Sequence, residues 1–249
     1  MRRSGTLALE RSDMYRNYIF DFYGTLADIR TDEENPCLWQ KMAEIYRAMG
    51  AAYGADELSS AFRRLEGEET ARIGIQEAEP DLSRVFARLY LEKGAACNET
   101  LTKMTAVTFR ALSREYIRAY DGVEEFLGEL RARGKRVYLL SNAQTDFTRP
   151  EIEMLGLTKY FDGIFISSEQ GCRKPSKIFF ERLLQKYALD PKESIMIGND
   201  ESADIAGARL VGMDSLYIHT AISPAEYGRV ESTYRVMDGD FRKVRGLIL

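Results

Sequence analysis

Four polar stations along this chain have the residue types and spacing to do chemistry. The first closes the run Tyr18-Ile19-Phe20-Asp21-Phe22-Tyr23-Gly24-Thr25-Leu26, in which an apolar stretch stops abruptly at an aspartate followed by a Gly-Thr turn. A carboxylate at the exposed carboxyl end of a buried strand opposes folding unless something uses it. In open α/β sheets ligands bind at that end, and an aspartate there can act as a nucleophile that forms an acyl-phosphate or an ester. A strand-ending Asx turn accounts for the same residues. The other stations are Ser141-Asn142, Arg173-Lys174-Pro175 and Gly198-Asn199-Asp200-Glu201-Ser202-Ala203-Asp204. Each alone is ordinary turn chemistry, with Lys174 readable as a surface lysine and Asp204 as a helix-face aspartate. Together they follow successive apolar runs, and that register brings them to one crevice. Carboxylates gathered there repel one another and raise each other's pKa. A hard divalent cation such as Mg²⁺ relieves that repulsion through oxygen ligands. Ser141 and Asn142 can donate to oxyanion charge, and Lys174 can screen a nucleophile from an anionic substrate. Phosphoryl transfer needs little beyond such positioning and charge neutralisation.

The elements that must hold these stations are legible as short apolar runs. Residues 18–20, 137–140, 164–166 and 195–197 read as buried strands, with 216–218 as a fifth. Helical spacing lies between them, in Val123, Phe126, Leu127 and Leu130 before Gly134, and in Phe179, Leu183, Leu184 and Tyr187 before Pro191. Strands alternating with helices predict an α/β fold with a doubly wound parallel sheet. Residues 234–237 and 241–249 read as a final short strand and helix. Between the first and second strands lies an insert too long for one crossover. Leu38, Met42, Ile45, Tyr46 and Met49 form one helical face, and residues 55–69 another helix. Leu82, Val85, Phe86 and Leu89 form a third face. Residues 98–119 read as a fourth helix with Leu101, Met104, Val107, Phe109 and Leu112 as its apolar members. The chain is therefore expected to divide into a core of residues 15–30 and 119–249 and an all-α domain of residues 31–118. Trp39, Tyr46 and Phe86 read as core, with a pocket as the alternative. Trp39, Arg63, Arg64 and Arg72 are candidate leaving-group contacts, although charged helix faces are usually just solvated.

Composition narrows the partners. The chain has 249 residues, 45% hydrophobic and 30% charged, with a net charge of −4, ordinary values for a globular protein. That charge gives no electrostatic reason to expect nucleic acid or an anionic membrane, and no apolar run approaches the roughly 18 residues of a membrane span. Residues 1–6 carry two arginines without a following apolar segment and read as a frayed leader. Cys37, Cys97 and Cys172 are scattered and odd in number, which suits a reducing, cytoplasmic setting. With one histidine, His219, and no paired cysteines, no zinc site is expected; His219 reads as a strand-end histidine. The oligomeric state is not encoded legibly.

Asp21-x-Tyr23-Gly24-Thr25-Leu26, Ser141-Asn142, Lys174-Pro175 and Gly198-Asn199-Asp200-x-x-x-Asp204 resemble the four motifs of the haloacid dehalogenase superfamily of hydrolases. They stand in that family's order over residues 18–30 and 120–220, and the insert is similar to its C1 type of helical cap. The resemblance implies a Rossmann-like core and a Mg²⁺-dependent phosphatase of a small phosphorylated metabolite. Asp21 would be the nucleophile that carries an aspartyl-phosphate, and Lys174 would balance charge. Thr25, Ser141 and Asn142 would hold the substrate. Metal would bind Asp21, the backbone carbonyl of Tyr23, and the fourth motif through Asn199, Asp200 and Asp204.

Two positions depart from that pattern. Most phosphatases of the family carry a second aspartate, a general acid and base, where this chain has Tyr23. A phenol with a reference pKa near 10 is a poor substitute. Tyrosine there resembles the L-2-haloacid dehalogenase branch, whose halide leaves without a proton. Those dehalogenases, however, bind no metal and have a Ser-Asn-rich fourth motif. They carry asparagine where Glu201 stands and tyrosine where Phe180 stands. After Gly198 the phosphatases usually have aspartate, and here stands Asn199. The alternatives are thus a metal-independent dehalogenase using Asp21, or a catalytically impaired member that binds a phosphorylated ligand or a protein.

Overall fold

The computed structural model describes residues 15–224 and 230–249; the leader reading of residues 1–6 falls outside them. The chain enters through β1 (Asn17–Phe20) and turns into β2 (Ala27–Thr31). Four helices follow: α1 (Pro36–Ala48), α2 (Ala55–Ile73), α3 (Leu82–Glu92) and α4 (Glu99–Ser113). It returns through β3 (Arg114–Ala119) and α5 (Val123–Ala132) to β4 (Arg136–Ser141), then α6 (Thr145–Met154) and β5 (Gly163–Ile166). The remainder is α7 (Lys177–Tyr187), β6 (Ser194–Gly198), α8 (Ala206–Leu210), β7 (Asp214–Ile218), β8 (Tyr234–Val236) and α9 (Phe241–Ile248).

Six strands form one parallel sheet in the order β5-β4-β1-β6-β7-β8. β1 is central, and all four of its residues are buried, which is why it reads as a continuous apolar run. Tyr18 and Phe20 point to one core, with Phe126 and Leu127 of α5, while Ile19 points to the other, with Phe179 and Phe180 of α7. Each such side chain contributes about 1.5–3 kcal/mol on burial. Because β1 pairs with β4 on one side and β6 on the other, the chain order switches across it. The crevice of an open α/β sheet opens at the carboxyl ends of such strands, and Asp21 follows β1 there.

The helices α1 to α4 have a core of their own. Phe62, Phe86 and Phe109 meet at 5.4–5.5 Å between ring centroids, and Trp39 packs on Phe62 and Phe109 while donating its indole N–H to the Glu33 carbonyl. Trp39 is therefore core rather than a pocket wall. Side-chain caps start three of these helices: Asn35 accepts from Cys37 N, Asp81 from Ser83 N and Asn98 from Leu101 N.

Two expectations need correction here. The fourth helix ends at Ser113, and residues 114–119 are instead β3, paired antiparallel with β2 from Ala27↔Ala119 to Thr31↔Arg114. This ribbon carries mixed polar residues and a cross-strand Asp28–Arg118 ion pair of 2.7 Å, so it gives no strand-like hydrophobic signal. The buried face of α4 is also rotated from the expected one. Thr102, Thr105, Ala106, Phe109 and Ser113 are inside, whereas Met104, Val107 and Leu112 are exposed. The threonines tolerate burial because each hydroxyl donates to the carbonyl four residues earlier, in Asn98 and Leu101.

Candidate active site

Asp21 leaves the sheet with its N–H on the Ile197 carbonyl at 2.9 Å, and only 7% of its surface is exposed. The turn behind it is closed by three N–H groups, of Thr25, Leu26 and Ala27, on the Phe22 carbonyl. Gly24 sits there at φ +85°, and a Cβ on it would meet the Asn199 side chain at 2.2 Å. Glycine is required at this point both for its backbone angle and for the approach of Asn199.

Lys174 reaches the same spot from the loop before α7. Its buried ammonium donates to Asp21 Oδ1 at 2.6 Å, to Asp204 Oδ1 at 2.7 Å and to the Leu140 carbonyl at 2.9 Å. Burial pulls its pKa down, but Asp204 and Asp21 outweigh that pull and hold it above the ordinary lysine value. The loop is fixed by Asn142, which accepts from Lys174 N at 2.7 Å and donates to its carbonyl at 3.0 Å. Asn142, expected to hold substrate, therefore spends its amide on positioning Lys174. A strap of the helical insert braces the same loop: Arg173 N donates to the Glu77 carbonyl, and Glu79 N to that of Gly171. The Gln144 amide bonds Glu79 there.

The fourth station follows β6. A single π-turn over Glu201–Ile205, a form enriched at functional sites, is capped by Asp200, whose Oδ1 accepts from Ser202 N and Ala203 N. Asp204 gives its second oxygen to Asp200 N at 3.0 Å. Burial pushes the Asp204 carboxyl up to about 7, against the pull of Lys174. A Cβ at Gly198 would strike Asp204 at 2.2 Å, so this glycine makes room for the carboxylate. Asp21, Tyr23, Asn142, Lys174, Asn199, Asp200 and Asp204 all line one cavity of about 200 Å³, together with the apolar Ile222 and Pro224. Thr25 and Ser141 are fully buried and are not among the residues lining it. The Ser141 hydroxyl has no hydrogen-bond partner.

The structure adds a cluster that the sequence reading missed. The Tyr23 hydroxyl donates to Glu151 Oε2 at 2.5 Å and lies 3.1 Å from Thr148 Oγ1. Glu151, 1% exposed, is bound in turn by Arg110 and Arg114 at 2.8 Å each, and the Arg110 guanidinium lies over the Tyr23 ring at 5.3 Å. Burial and the Glu151 charge push the phenol well above its ordinary pKa. One signal was available in the sequence: Phe147, Thr148, Glu151 and Ile152 share the buried face of α6, and a glutamate on such a face needs a partner. The arginines suggested for the leaving group lie elsewhere. Arg63, Arg64 and Arg72 pair with Glu34, Glu92 and Glu69 on the helical insert. The Tyr217 hydroxyl and His219 Nδ1 share a hydrogen bond of 3.0 Å.

With this geometry described, comparison with known proteins is direct. Residues 15–212 match the haloacid dehalogenase-like hydrolase family. The chain belongs to that family. It is similar to a phosphoserine phosphatase of Thermus thermophilus, 31% identical over 67% of this chain and 65% of that one. A glyceraldehyde 3-phosphate phosphatase of Methanothermobacter thermautotrophicus is 28% identical over 53% and 58%. The chain thus spans less than two thirds of either relative. Among solved structures, a 2-haloacid dehalogenase from Pseudomonas syringae has the same fold, with a TM-score of 0.65 at 18% identity, covering 94% of this chain and 98% of that one.

The phosphatases of the family imply a metal that its dehalogenases lack, and the donor set can be tested for it. Among the described residues no three His, Cys, Asp or Glu side chains gather as ligands. Asp21 Oδ2 and Asn199 Oδ1, however, both lie 3.2 Å from the one hydroxyl of Thr25. A hydroxyl has a single proton to give, so one of these two hard oxygens is left short of a partner. A carboxylate and an amide oxygen in that state suit a cation that prefers oxygen ligands. The residues fit.

Proposed function

We propose that this protein is a Mg²⁺-dependent phosphatase of a small phosphorylated metabolite, working through an aspartyl-phosphate on Asp21. The observation that carries the reading is the buried triad in which Lys174 joins Asp21 to Asp204 at the mouth of the sheet. Asp21 attacks phosphorus, the leaving group departs, and water then hydrolyses the acyl-phosphate. Lys174 holds the attacking carboxylate in place and offsets the charge of the incoming anion. The unpartnered Ser141 hydroxyl is the donor for a phosphate oxygen, with Thr25 fixing Asp21 and Asn199. Asp21, the Tyr23 carbonyl and Asn199 would hold Mg²⁺, which supplies charge neutralisation to the phosphoryl group when bound. Asp200 and Asp204, also expected as ligands, are engaged by the turn start and by Lys174, and we assign them to those tasks. Residues 31–118 act as the cap over a core of residues 15–30 and 119–249. The three free cysteines fit a cytoplasmic setting, and no helix of the described residues is long and apolar enough to cross a membrane.

Release of p-nitrophenol from p-nitrophenyl phosphate with Mg²⁺ and with EDTA tests the reading. Turnover is expected with the metal, to be lost on chelation and in Asp21→Asn. Tyr23 at the acid position favours the dehalogenase as a second reading. If chelation changes nothing while 2-chloropropionate is consumed, the second reading replaces the first.

A further inference from the structure

The step that expels the leaving group needs either a proton for it or a leaving group stable without one. The structure allows the protons around Asp21 to be counted. Lys174 has three N–H bonds and gives them to Asp21 Oδ1, Asp204 Oδ1 and the Leu140 carbonyl. Tyr23 has one O–H, and it goes to Glu151 at 2.5 Å. Glu151 cannot easily turn away, because Arg110 and Arg114 fix it from the other side and it is buried. The Thr25 proton is shared between Asp21 and Asn199. Asp204 has both oxygens occupied as acceptors, and Asp200 Oδ1 accepts from the start of the π-turn. His219, the chain's one histidine, bonds Tyr217 and is not among the residues lining the cavity. Among the described residues, then, the protons of the acidic groups near Asp21 are engaged, and the hydrogens left over, on the Ser141 hydroxyl and the Asn142 and Asn199 amides, belong to groups too weakly acidic to protonate a departing oxygen.

We propose that the substrates of this enzyme are phosphoryl compounds whose leaving oxygen departs as a weakly basic anion, namely acyl, enol or aryl phosphates, rather than simple alkyl phosphates. This rests on the phosphatase reading above and narrows it. In the first step the Asp21 oxygen–phosphorus bond forms while the bond from phosphorus to the leaving oxygen breaks. The electron pair of that bond leaves on a carboxylate, enolate or phenolate, which takes no proton from the protein. In the second step water bonds to phosphorus, the Asp21 oxygen–phosphorus bond breaks to restore the carboxylate, and the proton of water passes to solvent. An alkoxide leaving by the same route would be a strong base with no acid beside it. Its rate should therefore lack the 10²–10⁴-fold that a positioned general acid typically contributes. The role given to Glu151 is positional: it holds the Tyr23 hydroxyl away from proton transfer.

The test is kcat/KM with Mg²⁺ for acetyl phosphate, p-nitrophenyl phosphate, phenyl phosphate, glycerol 3-phosphate and ethyl phosphate. The wild type is expected to fall steeply with leaving-group basicity, by about 10²-fold or more between the p-nitrophenyl and alkyl esters. Tyr23→Asp, which puts an acid on a short side chain free of Glu151 at this position, is expected to flatten the series by raising the alkyl esters relative to the aryl ones. Tyr23→Phe is expected to keep the wild-type slope whatever its absolute rate, because the hydroxyl proton is not used. Alkyl esters turned over within about threefold of aryl esters would overturn this inference and leave the phosphatase reading intact. So would a Tyr23→Phe variant that loses the alkyl esters selectively, since the phenol would then be the acid. Release of phosphate from no member of the series would overturn the phosphatase reading itself and this inference with it.

Discussion

Replacing Lys174 by methionine removes the ammonium while keeping the length of the side chain. The ammonium lies 2.6 Å from Asp21 Oδ1 and 2.7 Å from Asp204 Oδ1. Without it the two oxygens are left at most about 5 Å apart, and at an effective dielectric constant near 20 their repulsion is at least roughly 3 kcal/mol. That agrees with the 3–5 kcal/mol typically lost when one partner of a buried ion pair is deleted. The variant has one escape, which is to bind a proton. Burial already pushes Asp204 up to about 7 with the lysine present, and removal of its counter-charge raises it further. An acid whose folded-state pKa lies above its unfolded value near 4 stabilises the fold at low pH and loses that stabilisation as pH rises through the folded value. Lys174→Met should therefore be less stable than wild type by about 3–5 kcal/mol at pH 8 and by clearly less at pH 5. Urea unfolding of both proteins at the two pH values measures this. A deficit under about 0.5 kcal/mol at pH 8, or one just as large at pH 5, refutes the charge argument. Turnover of p-nitrophenyl phosphate should fall by at least about 10²-fold in folded variant protein, as it does when a charge-stabilising donor is removed.

Two further outcomes follow from groups beside this triad. Burial pushes Glu79, on the strap that braces the Lys174 loop, up to about 7, despite Arg173 and the donors from Ser167 and Gln144. Its contribution to stability is present below pH 4.5 and declines as pH rises to 7, by at most about 1.4 kcal/mol per pH unit. Glu79→Gln keeps an amide oxygen for Gln144 and removes the titration, so thermal melts should show the variant gaining on wild type from pH 5 to pH 7.5. Asn199→Asp adds a carboxylate beside Asp21 at a 5% exposed position. It should lower the Mg²⁺ concentration for half-maximal activity by about tenfold, while melting lower than wild type in EDTA.

What the sequence disclosed about the fold follows from how completely each element is buried. β1, β4 and β6 are covered on both faces, so residues 18–20, 137–140 and 195–197 read as short continuous apolar runs, whose length and polar flanks separate them from a buried helix. The β2–β3 ribbon is held by pairing between residues some ninety positions apart, such as Asp28 and Arg118, and a local pattern cannot register a partner so distant. α4 misled for a different reason. Apolar spacing assumes that the buried face is the greasy one, whereas its threonines hide by satisfying their hydroxyls on their own helix.

The site divides along the same line. Positions of groups were legible, because a strand of fixed register delivers its next residue to a fixed place, and Asp21, Lys174, Asn199 and Asp204 all stand at or just beyond strand ends or in the loops behind them. Roles were less legible, because a role depends on which hydrogen bonds remain unspent. Asn142 and Asp200 line the cavity yet have committed their amide and one carboxylate oxygen to neighbouring backbone. Tyr23 shows the point most fully. Its place in the motif marks it as the substitute for an acid, and nothing nearby in sequence says otherwise. Only the fold brings Glu151 of α6 and Arg110 of α4 to either side of it. Those two elements belong to different stretches of chain, so the phenol ties the Asp21 loop to the helical insert. A tyrosine that makes that tie has its proton already engaged. On the leaving-group proposal, the chemistry at Asp21 is of a kind that does not ask for it.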